Sequence, residues 1–174
     1  TNDTAICTES CIMLNVLSGG VSFTWSASSG MQPSNSQNPV VCPLVNTTYT
    51  VTVSDGVCMG TADVTVGLNP LPIAVIIADK TEFCNGTQAS LTATGGTGYQ
   101  WNTTEVSNTI NVTPVVNTNF TVTVTNMYGC TDTERISIIV NQNPVIDFGG
   151  DLGVCKDGCT NITPAISNGT ASYS

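Results

Sequence analysis

The sequence predicts an all-β chain, a linear array of tandem small antiparallel β-sandwich domains. Three observations predict it. A block carrying cysteine, tryptophan and an alternating strand recurs along the chain, with Cys7, Cys84 and Cys155 spaced 77 and 71 residues apart. Wherever the apolar pattern is regular its period is two, the mark of half-buried strands. Turn clusters such as Ser28-Ser29-Gly30 and Gly95-Gly96-Thr97-Gly98 fall at strand-length intervals.

The repeat sets the domain plan. Asn46-Thr47-Thr48-Tyr49-Thr50-Val51-Thr52-Val53, closed by Asp55-Gly56-Val57-Cys58, matches Asn117-Thr118-Asn119-Phe120-Thr121-Val122-Thr123-Val124, closed by Tyr128-Gly129-Cys130. Phe23-Thr24-Trp25 and Tyr99-Gln100-Trp101 precede them, and Asn69-Pro70 and Asn143-Pro144 follow. The domains are therefore 1–71, a repeat whose first strand is clipped; 72–144, a complete repeat; and 145–174, the start of a truncated third. Both ends of the sequence fall inside repeats, so we expect a window from a longer array.

Within the complete repeat, alternation places strands at 73–79, 88–94, 98–102, 108–113, 118–125 and 134–141. Tyr49, Val51 and Val53 share one face with a core behind it, as do Phe120, Val122 and Val124, while Thr lines the solvated face. Short strands in a unit of this size suggest an immunoglobulin-like sandwich. A domain so small is thinly stabilised by its core alone and needs a staple.

The eight cysteines supply staples. Without histidine or a Cys-x-x-Cys pair they read poorly as zinc or redox sites and well as disulfides, which implies an oxidising, extracellular setting. The complete repeat holds only Cys84 and Cys130, which we pair. The first repeat holds four cysteines and admits three pairings. Matching it to the second gives Cys7–Cys58 and leaves Cys11–Cys42. Four extended residues span about 13 Å, too far for a Cys7–Cys11 bond. Cys155 and Cys159 then take partners beyond residue 174.

Composition excludes other classes. Three basic against twelve acidic residues, a net charge of −9, leave no patch to neutralise phosphates, so no nucleic-acid partner is expected. The longest apolar run, Ile73 to Ala78, is far short of a membrane span, so no direct membrane insertion is expected, and no basic-then-apolar leader opens the chain. The absence of histidine removes the commonest general base. No catalytic residues and no enzyme activity are expected.

The order Cys-x3-Cys, aromatic-x-Trp, Cys42-Pro43, Thr-x-Tyr-Thr-Val-Thr-Val, then Gly-x-Cys or Gly-Cys resembles the immunoglobulin-like, PKD-related repeats of very large Bacteroidetes cell-surface proteins, including SprB-type gliding-motility adhesins. The resemblance covers the whole chain. The second repeat departs from it, with Thr113-Pro114 standing where Cys42-Pro43 does and no equivalent of Cys11. The resemblance implies a secreted, surface-anchored, filament-like role without enzymatic activity.

Other features carry less. The repeated place of Trp25 and Trp101 in the strand pattern assigns them to the core rather than to sugar-stacking platforms. The carboxylates read as solvated charge: no Asp-x-Asp-x-Asp-Gly loop exists and they are scattered, with Asp147 and Asp151, and Asp79 and Glu82 in the matching region, the alternative place for calcium at a repeat junction. No other cofactor or metal is expected. Eight Asn-x-Ser/Thr sequons occur, at Asn2, Asn46, Asn85, Asn102, Asn111, Asn119, Asn161 and Asn168. Asp3-Thr4-Ala5 resembles the short O-glycosylation signal of Bacteroidetes, with Thr4 as acceptor.

The sequence thus favours a structural and adhesive segment, a disulfide-stapled shaft or spacer in adhesion or gliding motility. The alternative is a carbohydrate- or protein-binding β-sandwich module, and a third reading is an accessory domain of a secreted enzyme. Partners would be neighbouring repeats of the same chain, lateral or end-to-end copies of itself, or surface polysaccharide.

Overall fold

A computed structural model describes residues 3–26, 30–32, 35–147 and 165–167. By its contacts the chain forms two units. The first is Thr1–Ala74 with Gly95–Gly98 and Thr123–Asp132; the second is Val75–Thr94, Tyr99–Val122 and the chain from Thr133 onward. The described residues are all strand, turn or irregular chain.

The first sandwich uses β1 (Thr4–Cys7), β2 (Ile12–Met13), β3 (Ser22–Ser26), β4 (Met31–Gln32), β5 (Val40–Val41), β6 (Thr47–Ser54) and β7 (Met59–Asn69). One sheet runs β1-β7-β6-β3 and the other β2-β5-β4. Alternation along β6 sends Tyr49 and Val51 inward, where they meet Trp25 from β3, Val64 and Val66 from β7, and Leu14, Met31 and Val41. The outward threonines pair across strands, with the Thr48 and Thr65 hydroxyls 3.0 Å apart.

The second sandwich repeats the plan with β8 (Val75–Ala78), β9 (Glu82–Cys84), β10 (Ala89–Thr94), β11 (Gly98–Trp101), β12 (Thr109–Val112), β13 (Thr118–Thr125) and β14 (Thr131–Asn141). Its sheets are β9-β14-β13-β11 and β8-β10-β12. Phe83, Leu91, Trp101, Ile110, Phe120, Val122 and Ile138 are among its buried side chains. Each tryptophan keeps its indole N–H satisfied: Trp25 Nε1 donates to the Ser36 carbonyl and Trp101 Nε1 to that of Ser107, both at 2.9 Å. Both tryptophans are buried, so neither presents a ring to a sugar.

The opening strand is shorter than the alternation suggests and is followed by a second piece. β8 pairs antiparallel with β10, and after Asp79-Lys80-Thr81 the chain crosses to the other sheet, where β9 runs parallel to β14. In the same way β1 runs parallel to β7. The registers correspond: Cys7 lies opposite Asn69, and Cys84 opposite Asn141.

Asparagines pin the loops. Asn46 Oδ1 accepts from Leu68 N–H at 2.8 Å, and Asn117 Oδ1 from Val140 N–H at 2.8 Å. The following threonines donate to Val45 and Val116 carbonyls, each at 2.7 Å. The repeated Asn-Thr pair is thus a device for closing the entry to β6 and β13, since a buried or half-buried backbone N–H needs an acceptor.

Beyond the second sandwich, β15 (Val145–Asp147) pairs antiparallel with β16 (Ala165–Ser167). Cys155, Cys159, Asp151 and the sequons at Asn2, Asn161 and Asn168 lie outside the described residues.

Trp101 is 2% exposed. Truncating a buried aromatic typically costs about 3–5 kcal/mol. Trp101→Ala is therefore expected to lower the unfolding free energy of the second sandwich by that order, read as a fall in its denaturant midpoint. An unchanged midpoint would show that the ring is not part of a packed core.

Candidate functional site

The chemistry of this chain is concentrated in its cysteines. Cys11 is bonded to Cys42, with Cα atoms 4.2 Å apart, and ties the chain just before β2 to the end of β5. The other bond joins Cys7 to Cys130, Cα to Cα 5.6 Å, across 123 residues of sequence. Cys58 and Cys84 are free and exposed.

The expected pairs Cys7–Cys58 and Cys84–Cys130 are therefore corrected. The reason is the direction of β1 and β9. Because β1 runs parallel to β7, Cys7 sits at the Asn69 end of β7, while Cys58 precedes Met59 at the other end. The strand is 11 residues long, which at about 3.3 Å per residue puts roughly 33 Å between the two cysteines. A disulfide spans at most about 7 Å between α-carbons. The same holds for Cys84 beside Asn141 and Cys130 before Thr131, at opposite ends of the 11-residue β14.

The Cys7–Cys130 bond and its surroundings lie within the first unit, which takes in the β13–β14 turn. Three features support it. Asn126 Nδ2 donates to the Pro70 carbonyl at 2.7 Å, and Ala74 N–H donates to Asp132 Oδ2 at 2.9 Å. The third is the close approach at Gly95: a Cβ there would collide with the Ile73 carbonyl oxygen, and its φ of +109° also favours glycine. The connection Pro70–Ala74 is thus held by two groups of the β13–β14 hairpin and closely approached by the turn between β10 and β11.

Each cysteine is presented by the same local device as its counterpart. After Cys7, Thr8 N–H donates to Asn69 O at 2.9 Å and Ser10 N–H to Cys7 O at 3.1 Å; after Cys84, Asn85 N–H donates to Asn141 O at 2.9 Å and Thr87 N–H to Cys84 O at 3.1 Å. At the hairpins, Asp55 Oδ1 accepts from Val57 and Cys58 N–H at 2.9 and 2.7 Å. Asn126 Oδ1 accepts from Tyr128 and Cys130 N–H at 3.0 and 3.1 Å. These bonds to Cys58 and Val57 hold the Asp55 carboxyl below its ordinary pKa.

The remaining candidates are dispersed. Among the described residues no three of His, Cys, Asp and Glu come together. Asp79 Oδ1 accepts from Ser90 N–H at 2.8 Å, and its Oδ2 lies 3.7 Å from Lys80 Nζ. Glu82 accepts from Asn141 Nδ2 at 2.9 Å. These carboxylates have local work, and the calcium reading gains no donor set from them. Thr4 is half-buried in the edge strand β1, beside Asp3, whose carboxylate accepts from Thr65 N–H at 2.9 Å. Asn102 and Asn119 are hydrogen-bonded across the β11–β13 region, through Asn102 Oδ1 to Thr121 N–H at 3.1 Å and Asn119 Oδ1 to Ser137 Oγ at 2.7 Å.

No protein-family model matches the chain, and no curated protein matches it. Solved structures do. The N-terminal eight Ig domains of a Down syndrome cell adhesion molecule isoform superpose with a TM-score of 0.50 at 12% identity, over 83% of this chain and 24% of that one. The fold is immunoglobulin-like. Drosophila OTK extracellular domains 3–5 align with a TM-score of 0.45 at 11% identity, over 80% of this chain and 59% of that one. The chain spans about a quarter of the first of these structures and under two thirds of the second. Within the immunoglobulin-like frame, Cys7 and Cys58 lie at opposite ends of β7, and Cys84 and Cys130 at opposite ends of β14. Sequence reasoning missed this although the ruler was present, as the 11-residue strand between Cys58 and Pro70.

Two outcomes are expected. Cys7→Ser should expose one new alkylatable thiol, at Cys130, with Cys11–Cys42 intact in non-reducing peptide maps; a thiol appearing at Cys58 alone would contradict the pairing. Asp79 has a folded pKa held down by the Ser90 N–H bond, which outweighs its desolvation, with a smaller contribution from Lys80. A depressed folded pKa contributes stability above the unfolded pKa and loses it as pH falls through the folded one. Asp79→Ala should therefore lower Tm at pH 7, with the difference shrinking as pH falls below the ordinary carboxylate range. A difference that stays constant with pH would exclude the charge as its source.

Proposed function

We propose that this chain is a structural and adhesive segment of an extracellular cell-surface repeat protein, acting as a disulfide-stapled shaft or spacer without enzymatic activity. The observation that carries the reading is the Cys7–Cys130 bond, which couples the first sequence repeat to the second. A module that worked alone would have no use for a covalent tie to its successor. Two disulfides in one small chain also favour an oxidising compartment.

Several features support the same reading. The surface is wetted by threonine and asparagine rather than charge, and among the described residues no polar or charged side chain is buried. The solved neighbour with the higher score is an adhesion molecule with its own Ig domains in tandem. Together with the resemblance to surface adhesin repeats, this favours a role in adhesion or gliding motility, with neighbouring repeats as the first partners. In this reading successive repeats are joined end to end through short proline-bearing connections, at Pro70–Ala74, because Gly67–Asn69 belong to β7, and at about Gln142–Pro144. Proline removes a donor and restricts the residue before it to extended conformations, which stiffens such a joint.

Small-angle scattering of the chain under oxidising conditions tests this. An elongated particle with a maximum dimension near the summed lengths of its sandwiches is expected. A compact particle with the sandwiches folded side by side would reject the shaft.

A further inference from the structure

Among the described residues the two free cysteines, Cys58 and Cys84, occupy the positions that are bonded in the other repeat. Cys84 ends β9 opposite Asn141 as Cys7 ends β1 opposite Asn69, and the turns that follow carry the same pair of backbone hydrogen bonds. Cys58 closes the β6–β7 hairpin as Cys130 closes the β13–β14 hairpin, each held by an Asx acceptor three or four residues earlier. The Cys7-type position and the Cys130-type position bond to one another in this structure. Cys84 and Cys58 are therefore one of each kind, and within a repeat they are at opposite ends.

A second observation concerns the surface around Cys58. The hairpin bearing Cys130 has the connection Pro70–Ala74 seated beside it, through Asn126, Asp132 and Gly95. The matching surface beside Cys58 is a groove walled by Val16, Leu17, Val51, Val53, Met59 and Ala62. Gly20 approaches Val53 and Ser54 as Gly96 approaches Val124 and Thr125, which fixes the correspondence. Gly19, preceding Gly20 as Gly95 precedes Gly96, has nothing within 4 Å. Leu17, Val57 and Met59 are 99%, 93% and 78% exposed around it. Apolar surface clustered at one end of a sandwich, next to a thiol, fits a covered face.

We propose that the disulfide register continues along the polypeptide. Cys84 bonds the hairpin cysteine of the repeat that begins near Val145, and Cys58 bonds the strand-end cysteine of a preceding repeat, whose Asn-Pro connection fills the groove. The occupant is the adjoining repeat of the same polypeptide. Each bond forms when two thiols pass two electrons and two protons to a disulfide oxidant, oxidised glutathione or a protein disulfide, which leaves as two thiols. The Cys58 joint lacks two polar contacts of the Cys130 joint, because Asp55 stands where Asn126 does and Gly60 where Asp132 does. It relies on the disulfide and on apolar burial instead.

This inference deepens the shaft reading and rests on it, yet the two fail separately. The test is non-reducing peptide mapping of the full-length protein taken from its native surface after trapping free thiols with iodoacetamide. The expected result is no alkylation at Cys58 or Cys84, with Cys84 linked to the hairpin cysteine after the next Thr-x-aromatic-Thr-Val strand. Cys84→Ser in the full chain should then leave that downstream cysteine alkylated while Cys7–Cys130 is retained. Alkylated Cys84, a Cys58–Cys84 link between copies, or either cysteine capped by glutathione would overturn it. An elongated particle in scattering combined with alkylated Cys84 would leave the shaft and remove this inference alone.

Discussion

The parallel pairing of a short opening strand with the long closing strand is the constraint from which the covalent structure follows. It places Cys7 at one end of β7 and leaves Cys58 at the other, with 11 residues of strand between. An extended chain is a rigid spacer on this scale, and a disulfide is a short one. A sandwich built this way has no route to staple its own ends with those two residues. Its strand-end cysteine is available only to something beyond its own hairpin, and in this chain it is taken by Cys130.

The sandwiches must then be stabilised by other means. Their cores are thin, a single layer of residues such as Tyr49, Val51, Val66 and Trp25 in one and Phe120, Val122, Leu91 and Trp101 in the other. Loops are tied by side-chain amides instead of by extra apolar bulk, as Asn46 and Asn117 show. The first repeat adds Cys11–Cys42, and closing a loop of that size contributes about 4 kcal/mol in the chain-entropy model. The second has Gln88 and Thr113 at those places, and Leu91, Trp101, Ile110 and Phe120 are among its buried side chains.

The all-β, sandwich character was legible because alternation is a direct imprint of a half-buried sheet, and Tyr49-Thr50-Val51 and Phe120-Thr121-Val122 carry it without ambiguity. The burial of both tryptophans was legible for the same reason. Strand direction was not. A period of two reads the same in parallel and antiparallel pairs, so nothing in Thr4–Cys7 or Glu82–Cys84 announced that these segments run alongside β7 and β14. β9 is three residues long with one buried side chain, Phe83, too short to show a period. Asn46 and Asn102 read in the sequence only as sequon asparagines. Their use as acceptors for Leu68 and Thr121 N–H groups depends on partners 22 and 19 residues away, which local spacing does not encode.

The Cys7–Cys130 bond also changes what happens when the chain is pulled. Tension entering before Cys7 leaves through Cys130, and the intervening sequence, 123 residues of separation, is removed from the stretched contour. At about 3.4 Å per extended residue this is on the order of 400 Å of stored length. The first sandwich and most of the second lie inside that loop and cannot be unravelled from the ends while the bond stands. Reduction of that link would release the reserve except for the stretch that Cys11–Cys42 still closes, a sequence separation of 31, so the segment's extensibility depends on redox conditions as well as on the mechanical strength of its small cores.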